Sequence, residues 1–288
     1  MADAKPGNDP LAIICGGGSF PGAVADAVAR RGRRPVLFGL KGWADAAVIE
    51  RYPHHWIAIG QAGRFFRLAR AENCREVLFM GTVLRPPISQ LRFDWQTLML
   101  LPRVLAFFRG GDDKLLSGVA AIAESGGLRV VGVKEVAPEI FVPEGLFGRC
   151  HPSERDRSDI AHALKVIAAL GPYDVGQAAV VANNNVLAVE AAEGTDSMLS
   201  RIAELRRLGR VTAPPGTGVL VKAPKPGQDR RFDLPSIGPR TIENVARAGL
   251  AGVAVAAGSA IVAEPEAVAA AADRAGVFVL GVREDPPR

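Results

Sequence analysis

The chain of 288 residues is poor in cysteine and in long apolar runs, and each shortage excludes a class of protein. Its three cysteines, Cys15, Cys74 and Cys150, are odd in number and far apart, and none belongs to a Cys-x-x-Cys pair. This spacing argues against a disulfide framework and favours free thiols in a reducing cytoplasm. Because no run of about 18 apolar residues occurs, no membrane-spanning helix is predicted.

The chain has fewer acidic than basic residues: 30 Asp and Glu against 35 Lys and Arg, which gives a net charge of +5 and a pI near 9.4. That balance suits an anionic partner such as a phosphorylated ligand or an acidic membrane surface. Aromatic residues make up only 6% and few lie between the basic residues, so nucleic-acid binding is not expected. Residues 1–10 are polar and lack the apolar core of a signal peptide, so we expect a disordered tail.

Residues 11–142 are predicted to form an N-terminal domain, because short apolar runs alternate with helical patterns. This alternation is typical of an α/β fold, here a Rossmann-like parallel sheet with helices. The first strand, Leu11–Cys15, leads through glycines into a helix, an arrangement that offers backbone N–H groups to phosphate. The substrate-binding candidates in this half follow two strands that we expect to flank one crevice: Gly17, Gly18, Ser19, Gly81 and Arg85.

The glycine turn is not a clean dinucleotide fingerprint. Pro21 stands where the third glycine of that motif belongs, and Lys41 rather than an acid follows the second strand. Three interpretations stay open: contact with a nucleotide's phosphate or ribose, NAD binding, or a tight turn without a ligand. Arg85 is either a phosphate ligand or a solvent-facing loop arginine.

Two further segments of this half allow a structural and a functional interpretation. The strongly apolar residues 97–108 predict a helix that faces the core or the other domain, or alternatively a wall for acyl chains or a membrane-contacting face. Asp112 and Asp113 open the next helix, either as cap and first-turn charge or as ligands for a metal or a sugar.

Residues 143–288 are predicted to form a C-terminal catalytic α/β domain with a mixed sheet, after a Pro- and Gly-rich hinge at 138–152. Residues 176–190 form a predicted hairpin, because the asparagines at 183–185 tolerate the positive φ of such turns. Glu193, Thr195 and Asp196 open the following helix. Thr195 or Asp196 can cap that helix, with Glu193 just before it. Alternatively, the carboxylates of Glu193 and Asp196 bind a divalent cation and the helix N-terminus binds a phosphate.

The stretch from Lys222 to Gly238 carries the densest group of polar donors in the chain. It follows a buried strand and precedes a helix that begins at Pro239. Loops at the carboxyl ends of strands bind ligands in open α/β sheets, so we expect a ligand here. Lys222 is otherwise a solvated strand-end lysine, and Asp233 a turn carboxylate bonded to its own backbone.

Several motifs, in this order, resemble the UDP-2,3-diacylglucosamine pyrophosphatase family of lipid A biosynthesis, the LpxI type. The matching pieces are Gly16-Gly-Gly-x-x-Pro21, Gly81-x-Val-x-Arg-Pro86, Gly111-Asp-Asp113, Glu190-Ala-x-Glu-Gly-Thr-Asp196, Lys222-Ala-Pro-Lys-Pro226, Asp233-Leu-Pro-x-Ile-Gly238 and the Ala-Gly-Leu-Ala-Gly run ending at Gly252. The patch Gln228-Asp229-Arg230 departs from this pattern.

The resemblance implies hydrolysis of UDP-2,3-diacylglucosamine to UMP and 2,3-diacylglucosamine 1-phosphate (lipid X), with the lipid product held between the two domains. It also implies a divalent cation, usually Mg²⁺, and an essential aspartate that maps onto Asp233. We therefore expect Asp233, Lys222 and Lys225 to be catalytic, with Asp233, Asp196 and Glu193 as metal ligands. Thr195, Asp196 and Gln228 complete the predicted substrate-binding set.

The predicted location is the cytoplasm, with peripheral contact to the inner-membrane surface and a homodimer left open. Two other functions are also open. One is a nucleotide-cofactor oxidoreductase that uses the glycine turn, and the other is a non-catalytic lipid-binding protein that uses the apolar residues 97–108.

Overall fold

The computed structural model describes residues 9–83, 92, 94, 95, 97, 99, 112–226, 229–232 and 234–284, with the backbone alone for 112–115. The chain divides into two compact units, residues 1–140 and 141–288, each of which is described by itself. The predicted site residues Arg85, Gln228 and Asp233 lie outside the described residues. So do most of residues 97–108 and the side chains of Asp112 and Asp113.

The first unit is built on a five-stranded sheet, parallel throughout, in the order β3-β2-β1-β4-β5. Its strands are β1 (Leu11–Cys15), β2 (Pro35–Leu40), β3 (His54–Ile57), β4 (Glu76–Met80) and β5 (Arg129–Val130). Its helices are α1 (Phe20–Arg30), α2 (Ala46–Ile49), α3 (Ala62–Ala71), α4 (Asp112–Ser125) and α5 (Val133–Val136), followed by a 3₁₀ turn at Pro138–Ile140. The central strands are apolar and buried, as expected of a parallel sheet covered on both faces.

The second unit is built on a six-stranded mixed sheet in the order β6-β13-β11-β9-β7-β8. These strands are β6 (Gly145–Phe147), β7 (Ala178–Ala182), β8 (Asn185–Val189), β9 (Val219–Lys222), β11 (Gly252–Ala256) and β13 (Phe278–Val282). A separate parallel pair joins β10 (Ser236–Ile237) to β12 (Ile261–Val262). The helices are α6 (Glu154–Leu170), α7 (Gly194–Arg207), α8 (Pro239–Arg247) and α9 (Pro265–Ala275), with a 3₁₀ turn at Gly171–Tyr173.

Each face of this sheet carries its own apolar core. Helix α6 covers one face, where Ile160 and Ile167 pack with Val221 of β9. Helices α7, α8 and α9 cover the other face, where Leu199 and Ile242 pack with Leu220. Alternate residues of β9 therefore point to opposite cores, as the two-residue period of a strand requires.

The predicted fold class is confirmed, and most elements lie where the sequence places them. The turn of the predicted hairpin consists of Asn183 and Asn184, both at positive φ (53° and 63°). Helix α8 begins with Pro239 as predicted. The three cysteines carry free thiols, as expected, and Cys15 and Cys74 are buried. No helix within the described ranges is both long and apolar enough to cross a membrane.

Other predicted details are wrong. The apolar run Trp56–Ile59 predicts a third strand at those residues, whereas the strand runs from His54 to Ile57. Strands β6 and β10 were not predicted. Both unexpected strands lie in Pro- and Gly-rich segments without an alternating pattern. Each forms because a neighbouring strand offers unpaired backbone groups: β6 pairs with β13, and β10 pairs with β12.

Candidate functional site

In the first unit, the two predicted loops meet where the strand order reverses. β1 and β4 are neighbours, and each leads into one of the loops. The Gly17 amide donates to the Thr82 carbonyl (2.9 Å) and the Thr82 amide donates to the Gly17 carbonyl (3.0 Å). The crevice predicted at this switch point is therefore bordered by two loops that hydrogen-bond to each other.

Gly16 and Gly81 permit this close contact. A Cβ on Gly16 would lie 2.7 Å from the Thr82 carbonyl oxygen, and a Cβ on Gly81 would lie 2.8 Å from the carbonyl carbon of Gly16. Gly81 also has a φ of +98°, which L side chains rarely adopt. Loop-to-loop packing thus accounts for Gly81, whose part in substrate binding stays a prediction.

Gly18 and Ser19, by contrast, are exposed to solvent. Gly18 has a φ of +93°, and an added Cβ would meet nothing within 4 Å. Ser19 is the N-cap of α1, yet its side chain makes no capping hydrogen bond. An N-terminus left uncapped by its own side chain is of the kind that binds phosphate in α/β proteins.

In the second unit, the candidate site centres on Lys222 at the carboxyl end of β9. The side chain is only 8% exposed, so the alternative of a solvated strand-end lysine is wrong. Its Nζ donates to the Thr195 hydroxyl (3.0 Å) and to the Ser236 carbonyl (3.0 Å). A buried ammonium group needs such acceptors, because desolvation is costly without them.

Thr195 connects Lys222 to a carboxylate. Its hydroxyl donates to Glu190 Oε1 (2.6 Å), and Glu190 Oε2 accepts from the Gln177 amide (2.9 Å). This gives a continuous polar chain from backbone amide to carboxylate, hydroxyl and ammonium group. Networks of this kind restrict the orientation of every member.

Lys225 is the second buried lysine of the same loop, at 7% exposure. Its Nζ forms an ion pair with Asp174, which follows the Gly171–Tyr173 turn with a positive φ of 56°. Two lysines predicted to be catalytic are thus brought to one end of the sheet, and each is held by acceptors.

Asp196 and Glu193 lie at the start of α7, where both are held by arginines. Asp196 forms an ion pair with Arg240 (3.1 Å) and accepts from the Asn244 side-chain amide (2.8 Å). Glu193 pairs with Arg201 (2.8 Å). Glu193 is itself the N-cap of α7 and makes no side-chain capping bond, so the prediction of Thr195 or Asp196 as the cap is wrong.

The carboxylates of Asp196 and Glu193 are of the type that binds a divalent cation such as Mg²⁺. Within the described part of the chain, no three His, Cys, Asp or Glu side chains cluster as a complete metal site. Mg²⁺ needs fewer protein ligands, since it is commonly bound by one or two carboxylates together with substrate phosphates. Asp196 and Glu193 offer such oxygens, and Asp233 lies outside the described residues.

Asp229 and Arg230, which depart from the family pattern, are both held by ion pairs. Arg231 donates to both oxygens of Asp229, and this hydrogen bonding lowers the pKa of the Asp229 carboxyl. Arg230 donates to the Ser259 hydroxyl and pairs with Glu284 (2.8 Å each). These contacts give Asp229 and Arg230 a structural role.

Sequence reasoning missed the residues that hold the predicted ones. Glu190 and Asp174 were not among the candidate site residues, although they contact Thr195 and Lys225. For Glu190 a signal existed, because it continues the alternation of β8 on the same face as the buried Ala188. Asp174 follows a short 3₁₀ turn and gives no such signal.

Comparison with known proteins identifies the family. A model of the LpxI N-terminal domain matches residues 10–140, and a model of the LpxI C-terminal domain matches residues 143–280. UDP-2,3-diacylglucosamine pyrophosphatase LpxI of Caulobacter vibrioides is 44% identical over 272 residues, covering 94% of this chain and 97% of that protein.

Among solved structures, the Bordetella bronchiseptica enzyme WbmG in complex with NAD shows 14% identity over 45% of this chain and 38% of that chain, with a TM-score of 0.29. A likeness this low carries no argument. The two domain models and the 44% identical relative, by contrast, confirm the resemblance seen in the motifs. The chain belongs to the LpxI family.

Proposed function

We propose that this protein hydrolyses the pyrophosphate bond of UDP-2,3-diacylglucosamine, releasing UMP and 2,3-diacylglucosamine 1-phosphate (lipid X). The observation that carries the proposal is the 44% identity, across both units, to a UDP-2,3-diacylglucosamine pyrophosphatase. The two buried lysines at the carboxyl end of β9 support it, because a diphosphate ester needs positive charge held in place as its bond breaks.

In this proposal Lys222 and Lys225 interact with the diphosphate. Both ammonium groups are buried and restrained by hydrogen bonds, so little reorganisation is needed when negative charge builds up on the leaving phosphate. Lysine is a point charge with three donors, which suits a group that changes geometry during the reaction. Thr195, Asp196 and Gln228 complete the binding set in this unit.

Asp233 is the proposed catalytic carboxylate. It would take the proton from the attacking water and hold a divalent cation, Mg²⁺, with Asp196 and Glu193 as further oxygen ligands. When bound, such a cation neutralises charge on the phosphate oxygens. In sequence Asp233 precedes Ser236 by three residues, and the Ser236 carbonyl is bound by Lys222.

The first unit contributes Gly17, Gly18, Ser19, Gly81 and Arg85 to substrate binding in this proposal. The uncapped start of α1 supports it, because backbone N–H groups there suit a phosphate. We also propose that the protein works in the cytoplasm at the inner-membrane surface, which its net charge of +5 favours. Flotation with anionic and neutral vesicles tests this, and light scattering determines whether the chain is a monomer or the homodimer that the sequence leaves open.

The direct test is UMP release from UDP-2,3-diacylglucosamine, with and without EDTA, by the purified protein. We expect turnover that EDTA abolishes and added Mg²⁺ restores. Asp233→Ala should lower kcat at least about 1,000-fold, since several kcal/mol of stabilisation are lost with a metal ligand and base.

Glu266→Ala is the matched control, because it removes an exposed carboxylate from the first turn of α9. Circular dichroism should show that both variants are folded. Undiminished turnover by folded Asp233→Ala would reject the assignment of that residue. Absence of UMP release from the wild-type protein would reject the proposed function.

A further inference from the structure

We propose that Glu190 is a positioning residue that orients the Lys222 ammonium group through the Thr195 hydroxyl. The inference rests on the proposed function and assigns the residue that holds the lysine in place. It starts from the two hydrogen bonds of 2.6 Å and 3.0 Å that connect Glu190 to Thr195 and Thr195 to Lys222.

Strand register places Glu190 and Lys222 on the same face of the sheet. In the strand order β9-β7-β8, Lys222 of β9 is paired with Ala178 of β7. Glu190, directly after β8, is opposite the same residue on the other edge of β7, and its backbone amide donates to the Ala178 carbonyl (2.8 Å). Ala178 belongs to the core under helix α7. The backbones of Glu190 and Lys222 thus lie on either side of β7, about 10 Å apart at two strand spacings.

Helix α7 supplies the side chain that connects the two residues, that of Thr195. It begins at Gly194, so Thr195 stands in its first turn on the face where Glu190 and Lys222 meet. Its hydroxyl lies between the Glu190 carboxylate and the Lys222 ammonium group and hydrogen-bonds to both.

The direction of each hydrogen bond follows from the groups themselves. An ammonium group only donates and a carboxylate only accepts, whereas a hydroxyl has one proton and two lone pairs. The Thr195 hydroxyl must therefore donate to Glu190 and accept from Lys222. Glu190 thereby decides which way the Thr195 lone pairs point, and so where Nζ settles.

Glu190 is itself firmly held. Its second carboxylate oxygen accepts from the Gln177 amide (2.9 Å), so both oxygens are engaged. Gly176 lets the chain pass close by, since a Cβ there would lie 2.3 Å from the Glu190 carbonyl oxygen. A restrained carboxylate of this kind suits a residue that fixes a neighbour's geometry.

Three variants and a control separate positioning from a purely structural role. Thr195→Val removes the hydroxyl at nearly constant volume, and Thr195→Ser retains it. Glu190→Gln replaces one acceptor oxygen with a donor, so either Thr195 or the Gln177 amide loses its acceptor. Thr212→Val makes the same change at an exposed threonine.

The readout is UMP release from UDP-2,3-diacylglucosamine. We expect Thr195→Val and Glu190→Gln to lower kcat about 30- to 100-fold, because a small displacement of a catalytic group has that effect. KM should stay within about threefold of wild type, as for an interaction made in the transition state. Thr195→Ser should recover activity to within about threefold, and Thr212→Val should match wild type.

A second measurement does not depend on activity. Urea unfolding of the two single variants and of Glu190→Gln/Thr195→Val should show non-additive losses of stability, as expected for residues in one network. Additive losses, or a folded Glu190→Gln variant with wild-type kcat, would overturn the proposal. So would a change in KM alone. If wild-type protein releases no UMP, the proposed function fails, and the urea cycle still decides whether these side chains are coupled.

Discussion

At the scale of single residues, burial decides how the three thiols behave. Burial raises the pKa of Cys15 to about 12 and that of Cys74 to about 11. Cys150 is half-buried at the start of the second unit. Because the thiolate is the reactive form, the two buried thiols should be almost inert at neutral pH.

We therefore predict that Ellman's reagent at pH 8 rapidly modifies one thiol per native chain, that of Cys150. Guanidinium should expose all three, and Cys150→Ser should abolish the rapid phase. Rapid modification of two or three thiols in the native protein would contradict the buried placement of Cys15 and Cys74.

Glu72 is a carboxylate whose charged form stabilises the first unit. Hydrogen bonds from His55 and Arg34, 2.8 Å each, lower its pKa below the ordinary value of a glutamate. A pKa lowered in the folded state adds stability above the unfolded pKa. That stability is lost as the pH falls through the folded value.

Glu72→Gln should consequently reduce the free energy of unfolding by about 1 kcal/mol at pH 7. The difference from wild type should shrink as the pH falls from the unfolded pKa of a glutamate through the lowered folded pKa. Urea unfolding at several pH values measures it, with exposed Glu50→Gln as the control. A difference that does not depend on pH would contradict this explanation.

At the scale of elements, glycines at positive φ serve two purposes that the structure separates. Gly81 and Gly127 have similar φ values, +98° and +87°. An added Cβ at Gly81 would collide with Gly16 and Gly17, whereas one at Gly127 would meet nothing within 4 Å. Position 81 therefore requires glycine both for its positive φ and for the close approach of the Gly16 and Gly17 backbone.

Replacing Gly81 and Gly127 by alanine should separate the cost of backbone strain from the cost of lost contact between the loops. Gly127→Ala should cost about 1–2 kcal/mol through backbone strain alone. Gly81→Ala should cost about 1–3 kcal/mol more, because the loops that follow β1 and β4 must separate. Urea unfolding compares them, and equal losses would show that the contact between these loops contributes little.

At the scale of the whole molecule, the second unit has everything that an independent domain requires. Its sheet is covered on both faces by helices, and the two cores consist of its own residues. The unit includes β6, which pairs with β13 at the edge of the sheet. An unprotected edge would leave backbone groups free for aggregation.

Residues 141–288 expressed alone should therefore fold and unfold cooperatively in urea, as followed by circular dichroism. A shorter chain that begins at residue 150 lacks β6 and should be less stable and more prone to aggregate. A non-cooperative transition of the longer chain would show that this unit depends on the rest of the molecule.

The sequence by itself determined the elements whose causes are local. Alternating strands and helices, the asparagine turn of the β7–β8 hairpin and the start of α8 at Pro239 each depend on a few adjacent residues. The family motifs belong to the same category, since their order along the chain is sequence information. Lys222 and Lys225 were found as site candidates because donors are concentrated in one loop.

Only the tertiary structure decided which groups meet. The Glu190–Thr195–Lys222 network depends on the strand order β9-β7-β8 and on the start of α7, and Lys222 is 27 residues from Thr195 along the chain. Strands β6 and β10 likewise exist because β13 and β12 offer partners. The stabilisation that a strand gains from pairing with a neighbour arises only when the sheet assembles, so no local sequence pattern predicts it.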